Sequence, residues 1–160
     1  MNYTYRYSTP AKFDDLKLVS DGEYLLEVSF INGKEKIIND DQKYFKDAIR
    51  WLDLYFDRKI PDFTPKYRIN NLTPFREKVI SIIRTIDYGK TMTYGQIAKM
   101  IAEEKGIARM SAQAVGQAVG FNPICIIIPC HRVMGADNRL TGYGGGIKNK
   151  VALLELEGNL

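Results

Sequence analysis

The stretch IIIPCHRV, residues 126–133, sets a cysteine beside the chain's single histidine, directly after a proline that closes an apolar run. Read with the residues before it, NPICIIIPC (122–130) is short, rich in β-branched side chains and ended by Pro129, which predicts a buried strand. On an extended chain, Cys125 and Cys130 would stand roughly 16 Å apart at their Cα atoms. A disulfide needs less than about 7 Å, so that reading excludes a bridge. A tetrahedral zinc site wants four ligands, and the two cysteines and one histidine of this chain fall short unless carboxylates contribute. The order C-x-x-x-x-C-H also misses the spacing of covalent haem attachment. Cys125, inside the run, fits an inert small hydrophobe. For Cys130 two readings stay open: a buried structural thiol, or a reactive one whose thiolate His131 and Arg132 favour. The second needs the chain to turn at Pro129, because adjacent side chains of a strand point to opposite faces.

Upstream, Thr73-Pro74 starts a helix, with threonine as cap and proline in the first turn. Phe75, Val79, Ile82 and Ile86 mark its buried face, and Gly89 is expected to stop it. Two helices joined by a turn follow. Thr93 and Gln96 in TYGQ make a capping box before Ile97 and Ile101, EEKGIARM is the connection, and Ser111 caps SAQAVGQAVG. The last helix is built almost wholly of small side chains, at roughly 1 kcal/mol lost per Gly against Ala. Either a close helix–helix contact or the close approach of a bulky partner accounts for it. Downstream, the glycine-rich LTGYGGG (140–146) leads to a final helix with Val151, Leu153 and Leu154 inside, ending at Gly158.

The first 60 residues read as a small meander and one helix. Apolar alternation flanks Asn32-Gly33, which predicts a tight hairpin between YLLEVSF and EKII, and Asp21-Gly22 supplies an earlier turn. Asp40 or Asp41 caps a segment in which Phe45, Ile49, Leu52 and Phe56 recur at helical spacing. Trp51 and Tyr55 broaden that face as packing residues. Residues 60–74, with three prolines and no periodicity, read as a linker.

At 160 residues, 45% hydrophobic and 26% charged, the chain suits one ordinary domain or two small ones. Its formal charge of +4 lies wholly in the second half: residues 1–70 carry 12 basic and 12 acidic side chains, residues 71–160 carry 11 and 7. A solvated basic surface and a nucleic-acid footprint both fit that asymmetry. No apolar stretch reaches membrane-spanning length, and MNYTYRYSTP lacks the layout of a signal peptide. The cytoplasm, and free thiols, are therefore expected.

Taken together, TPF, TYGQIA, SAQAVGQAVGFNPICIIIPCHRVMG, LTGYGGG and LLELEG stand in the order and spacing of one family. Over residues 73–158 the chain closely resembles the O6-alkylguanine-DNA alkyltransferases, or methylated-DNA–protein-cysteine methyltransferases. The resemblance implies an α/β (α+β) protein. A small strand–helix domain, ribonuclease H-like, spans 1–60, a linker 61–72, and a mostly helical domain with a helix-turn-helix 73–160. It implies a monomer acting on double-stranded DNA, away from membranes and without metal or organic cofactor. An alkyl group would pass irreversibly from O6-alkylguanine, with O4-alkylthymine a second candidate, to Cys130. It further implies that His131 holds the thiolate through a water, that Glu157 fixes His131, that Asn122 shapes the active-site turn, and that Tyr94 helps protonate the leaving guanine. Tyr143, Gly144 and Gly145 would wall the alkyl pocket, with backbone near Val133 reading the base edge. Tyr94, Gly95, Gln113 and Arg132 would face DNA. Such a base must be extruded from the stack to be reached, and the family docks its helices in the minor groove.

One departure stands out: many members carry an arginine just before AVG, where it fills the gap left by the flipped base. This chain has Gln113, which keeps hydrogen bonding but lacks charge and a stacking plane. Competing classes are a lesion-binding protein without transfer, whose relatives typically have tryptophan in place of the cysteine, a helix-turn-helix regulator, and a thiol enzyme with many turnovers.

Overall fold

The computed structural model describes residues 1–33 and 35–160. Strands β1 (Tyr3–Tyr7), β2 (Leu16–Ser20) and β3 (Leu25–Phe30) form an antiparallel sheet in the order β1-β2-β3. The turn between β2 and β3 is the Asp21-Gly22 turn expected from the sequence. The Asp21 carboxylate accepts from the backbone of Glu23 and Tyr24, and Gly22 sits at φ +101°, which suits glycine. Asp41 caps a 3₁₀ turn at Gln42–Phe45, and helix α1 (Lys46–Phe56) follows, burying Ala48, Trp51, Leu52 and Tyr55.

The hairpin expected at Asn32-Gly33 does not form: residues 35–40 are irregular and Ile38 is 82% exposed. Lys34, part of that expectation, lies outside the described residues. The physical reason is that β3's outer edge is taken by chain from much later in the sequence. Leu25 exchanges backbone hydrogen bonds with the 66–68 segment (2.8 and 3.0 Å), and Val28 with Pro123 and Cys125 (both 2.9 Å). The proline-rich stretch read as a linker is thus partly bonded to the sheet, and the Cys125 segment is bonded beside it.

Thr73 caps α2 (Pro74–Ile83) as expected, but the helix ends at Ile83 rather than at Gly89. Strand β4 (Met92–Thr93) leads into α3 (Tyr94–Lys105), with the full Thr93–Gln96 capping box; the helix absorbs Glu103 to Lys105 of the expected connection and ends on left-handed Gly106. Ser111 caps α4 (Ala112–Phe121). Two-residue β5 (Val133–Met134) pairs parallel to β4, and α5 (Ile147–Leu156) closes the chain. Among the described residues, five α-helices, a small antiparallel sheet and the two-residue β4–β5 pair make a mixed α/β protein. One contiguous cluster of buried side chains runs from Tyr7, Leu16 and Val28 through Leu52 and Ile83 to Ile124, Ile128 and Leu153, so both halves share a core. Among the described residues, no helix is long and apolar enough to cross a membrane.

Candidate active site

The run 122–130 is not a strand. Asn122, buried at the end of α4, accepts from Ile124 N (3.0 Å) and donates to Ile128 O (2.9 Å), stapling the segment across itself. Along this segment the backbone makes two γ-turns, one inside the staple and one just after it. Ile127 N bonds Cys125 O at 2.8 Å around Ile126, whose φ of +70° is strained for a β-branched residue. Cys130 N bonds Ile128 O at 2.8 Å around Pro129 (φ −81°, ψ 63°), an inverse γ-turn. The chain then enters a 3₁₀ turn at Cys130–Arg132. The chain therefore turns at Pro129, as a Cys130–His131 partnership requires. It also overturns the premise on which a Cys125–Cys130 bridge was excluded: the fold brings the two sulfurs together, and both are free thiols lining one small cavity.

His131 is fully buried. Its Nε2 lies 2.7 Å from Glu157 Oε2, which as a carboxylate oxygen accepts, so the proton sits on Nε2; Nδ1 is buried with no partner among the described residues. Glu157, at the end of α5, gathers further donors. Arg132 Nε reaches Oε1 at 2.8 Å and Arg132 Nη2 reaches Oε2 at 3.1 Å. Tyr55 Oη from α1 donates to Oε2 at 2.6 Å. Burial pushes the Glu157 pKa up, but the hydrogen bonds from His131 and Arg132 and the Arg132 charge outweigh it and hold the carboxyl far below its ordinary range. Burial is also the largest influence on His131; it outweighs the pull of Glu157 and leaves the imidazole less basic than usual, hence neutral.

The Cys130 thiol is shifted the other way. A hydrogen bond from the Cys125 thiol lowers its pKa most, burial opposes, and the Asn122 amide, the Tyr143 hydroxyl and the Lys150 charge add to the lowering. Cys125 moves up correspondingly, chiefly through its bond to Cys130 and then through burial. Lys150 is fully buried, donates from Nζ to Val133 O at 2.6 Å, and stands 5.9 Å from the Tyr143 ring centre. A thiol at Cys130 with a lowered pKa, a buried Lys150 nearby and an imidazole nitrogen without a partner among the described residues are the groups that thiol-based nucleophilic chemistry uses.

The cavity over the sulfurs holds only about 50 Å³ and is walled by Tyr94, Asn122, Tyr143, Gly144 and Gly145. Tyr94, Gly116 and Gly142 also line a groove of about 640 Å³ between the N-termini of α3 and α4, which includes Gly95 and Gln113. Burial raises the Tyr94 pKa, keeping the phenol a proton donor. A side chain at Gly145 would come within 2.6 Å of Phe30 and 2.7 Å of Tyr143, whereas Gly144 has open space around it.

Of the residues expected from the sequence, Cys130, Asn122, Tyr94, Tyr143, Gly144 and Gly145 therefore share one cavity, His131 and Glu157 lie together behind it, and Gly95 and Gln113 line the groove. One expectation needs correction. Arg132 is not at the surface: it is buried, with Nε and Nη2 on Glu157 and Nη1 on Ile86 O at 2.7 Å, leaving it no free face for DNA. Val133 is fully buried in the β4–β5 pair, and Lys150 donates to its carbonyl, which keeps a second acceptor lone pair. Sequence reasoning missed Tyr55, Cys125 and Lys150. The available signal for Lys150 was its place on the α5 face that also carries Leu153, Leu154 and Glu157; for Tyr55 it was that a buried phenol needs a partner. Among the described residues, no group of three or more His, Cys, Asp or Glu side chains is placed to hold a metal ion.

Residues 74–159 match the family described as 6-O-methylguanine DNA methyltransferase, DNA binding domain. The methylated-DNA–protein-cysteine methyltransferase of Methanosarcina acetivorans is 42% identical over 147 residues, covering 89% of this chain and 90% of that one. Its counterpart in Haemophilus influenzae is 36% identical over 162 residues, covering 97% and 85%. A crystal structure of Mycobacterium tuberculosis OGT in complex with DNA aligns with a TM-score of 0.78 at 36% identity, over 96% of this chain and 92% of that one.

Proposed function

The chain belongs to the methylated-DNA–protein-cysteine methyltransferase family, a DNA-binding repair enzyme that reverses alkylation directly, and we propose that Cys130 is its acceptor and O6-alkylguanine in duplex DNA its substrate. The observation that carries this assignment is the placement of Cys130 under a cavity between Tyr94 and Tyr143, with His131 behind it bound to Glu157 at 2.7 Å.

In this reading the extruded base enters from the groove beside Gln113 and pushes aside the glycine loop, since about 50 Å³ is far below the ~300 Å³ of an ordinary ligand pocket. The Cys130 proton passes to His131 Nδ1, through a water in the family's arrangement. The thiolate sulfur attacks the alkyl carbon, an S–C bond forms as the C–O6 bond breaks, and the leaving guanine takes the electron pair and a proton, which Tyr94 helps supply. The thioether stays on the protein, so each molecule acts once.

The same reading takes α3 and α4 as a helix-turn-helix seated in the minor groove, with Gly95 and Gln113 toward DNA and the basic excess of residues 71–160 on phosphates. It keeps the division into a ribonuclease H-like domain (1–60), linker (61–72) and alkyl-acceptor domain (73–160), acting as a cytoplasmic monomer. Intact mass and peptide mapping after incubation with O6-benzylguanine or an O6-methylguanine duplex, with Cys130→Ser as control, test it. One alkyl group on Cys130 and none on Cys125 is expected. Tight lesion binding without transfer would instead leave a damage sensor.

A further inference from the structure

Helix α1 belongs to the N-terminal half, and its Tyr55 does pack. The ring stacks on Trp51 at 5.4 Å and meets Phe56 and Tyr88 edge-on. Packing alone does not account for its hydroxyl. Tyr55 is 1% exposed, and its Oη donates at 2.6 Å to Glu157 Oε2, the oxygen that also accepts from His131 Nε2 at 2.7 Å. Tyr55 is the donor because Glu157 is ionised, while burial and then the Glu157 charge push the phenol's own pKa well up.

We infer that Tyr55 is a positioning residue for alkyl transfer: its hydrogen bond sets how much of the Glu157 charge reaches His131, and thereby how readily Nδ1 takes the Cys130 proton. This rests on Cys130 being the acceptor. Donors that share one carboxylate oxygen compete for its electron density, so removing one strengthens the hold of the others. The charged and titratable groups around the pair come from every neighbouring element. Arg132 and His131 come from the 3₁₀ turn, Tyr88 from the segment after α2, Tyr55 from α1 and Lys150 from α5. Of the groups hydrogen-bonded to Glu157 among the described residues, Tyr55 is the one supplied by the N-terminal half. The N-terminal half thereby tunes the proton acceptor without carrying the proton.

The test compares the full chain with Tyr55→Phe, which deletes only the hydroxyl, and Trp51→Phe, which disturbs the same packing without touching Glu157. Two readouts are taken. One is the pH dependence of single-turnover O6-benzylguanine transfer. The other is the ¹H NMR titration of the ring of His131, which needs no assignment in a chain with one histidine. With Tyr55→Phe, His131 is expected to become more basic, and the acid-side midpoint of the rate profile to move up by about half a pH unit. With Trp51→Phe, thermal stability falls and both midpoints stay in place. Unmoved or lowered midpoints in Tyr55→Phe, or equal shifts in both variants, would overturn the inference. Failure of the unaltered chain to take up the benzyl group would instead overturn the assignment of Cys130.

Discussion

His131 Nε2 and Glu157 Oε2 stand 2.7 Å apart with both side chains fully buried. A carboxylate in such a place is tolerable only because Arg132, His131 and Tyr55 fill its acceptor positions. Glu157→Gln keeps the shape but leaves the Arg132 guanidinium buried without a counter-charge. The expected cost is about 3–5 kcal/mol, or a fall in Tm of roughly 10 °C, together with loss of transfer. Calorimetry of the variant checks it; a Tm within a degree or two of the parent would contradict the network described.

Acid should destabilise the fold well before general carboxylate protonation. Burial depresses the His131 pKa in the folded state, so the unfolded chain binds the extra proton more readily. Stability from this group is complete above the ordinary histidine value of about 6.5 and is lost as pH falls below it. Glu157, also depressed, adds a second loss of the same sign at lower pH. Urea midpoints measured at pH 7.5 and 5.5 should differ, lower at the lower pH; equal midpoints would contradict a buried neutral His131.

Cys125 is expected to matter to the chemistry without accepting the alkyl group. Its thiol is the largest influence lowering the Cys130 pKa, so Cys125→Ala should raise that pKa and slow Cys130 alkylation by iodoacetamide at pH 6.5 more than at pH 9. Cys125→Ser, which keeps a donor, should restore much of the rate. Identical pH profiles for all three proteins would remove Cys125 from the site.

Two neighbouring glycines should respond differently. Gly145→Ala drives a methyl into Phe30 and Tyr143, an overpacking worth about 1–3 kcal/mol, and should also slow transfer by displacing Tyr143. Gly144→Ala meets nothing within 4 Å and should stay within about 0.5 kcal/mol of the parent. A reversed order in thermal melts and single-turnover rates would refute the cavity wall described.

Gln113 is exposed at the start of α4 and lines the groove, at the position where the resemblance drawn from the sequence implies an arginine. Gln113→Arg should tighten DNA binding by up to about tenfold, ~1.4 kcal/mol, by restoring a charge and a stacking plane. Unchanged affinity in a salt-matched titration would rule that out.

Much was legible in the linear sequence because it depends on near neighbours. The caps at Thr73, Thr93 and Ser111, the Asp21-Gly22 turn and the helical faces rest on interactions spanning three or four residues, and the structure has them. The order of PCHR, the glycine loop and Glu157 likewise marked the family and most of the residues that line or back the candidate cavity. What the sequence could not decide was which distant groups compete for the same backbone and side-chain partners. NPICIIIPC has the composition of a strand, yet Asn122 and two γ-turns fold it over, because β3 offers its edge to Cys125 and the stapled turn satisfies the rest. The expected 32–38 hairpin lost that same edge to residues 66–68 and 123–125. Arg132 left the surface because Glu157 needed a counter-charge, and Tyr55 became more than packing because α1 lies against the end of α5. Buried polar groups must find partners, and those partners lay 25 residues away for Arg132 and 102 for Tyr55. Only the tertiary structure could decide that.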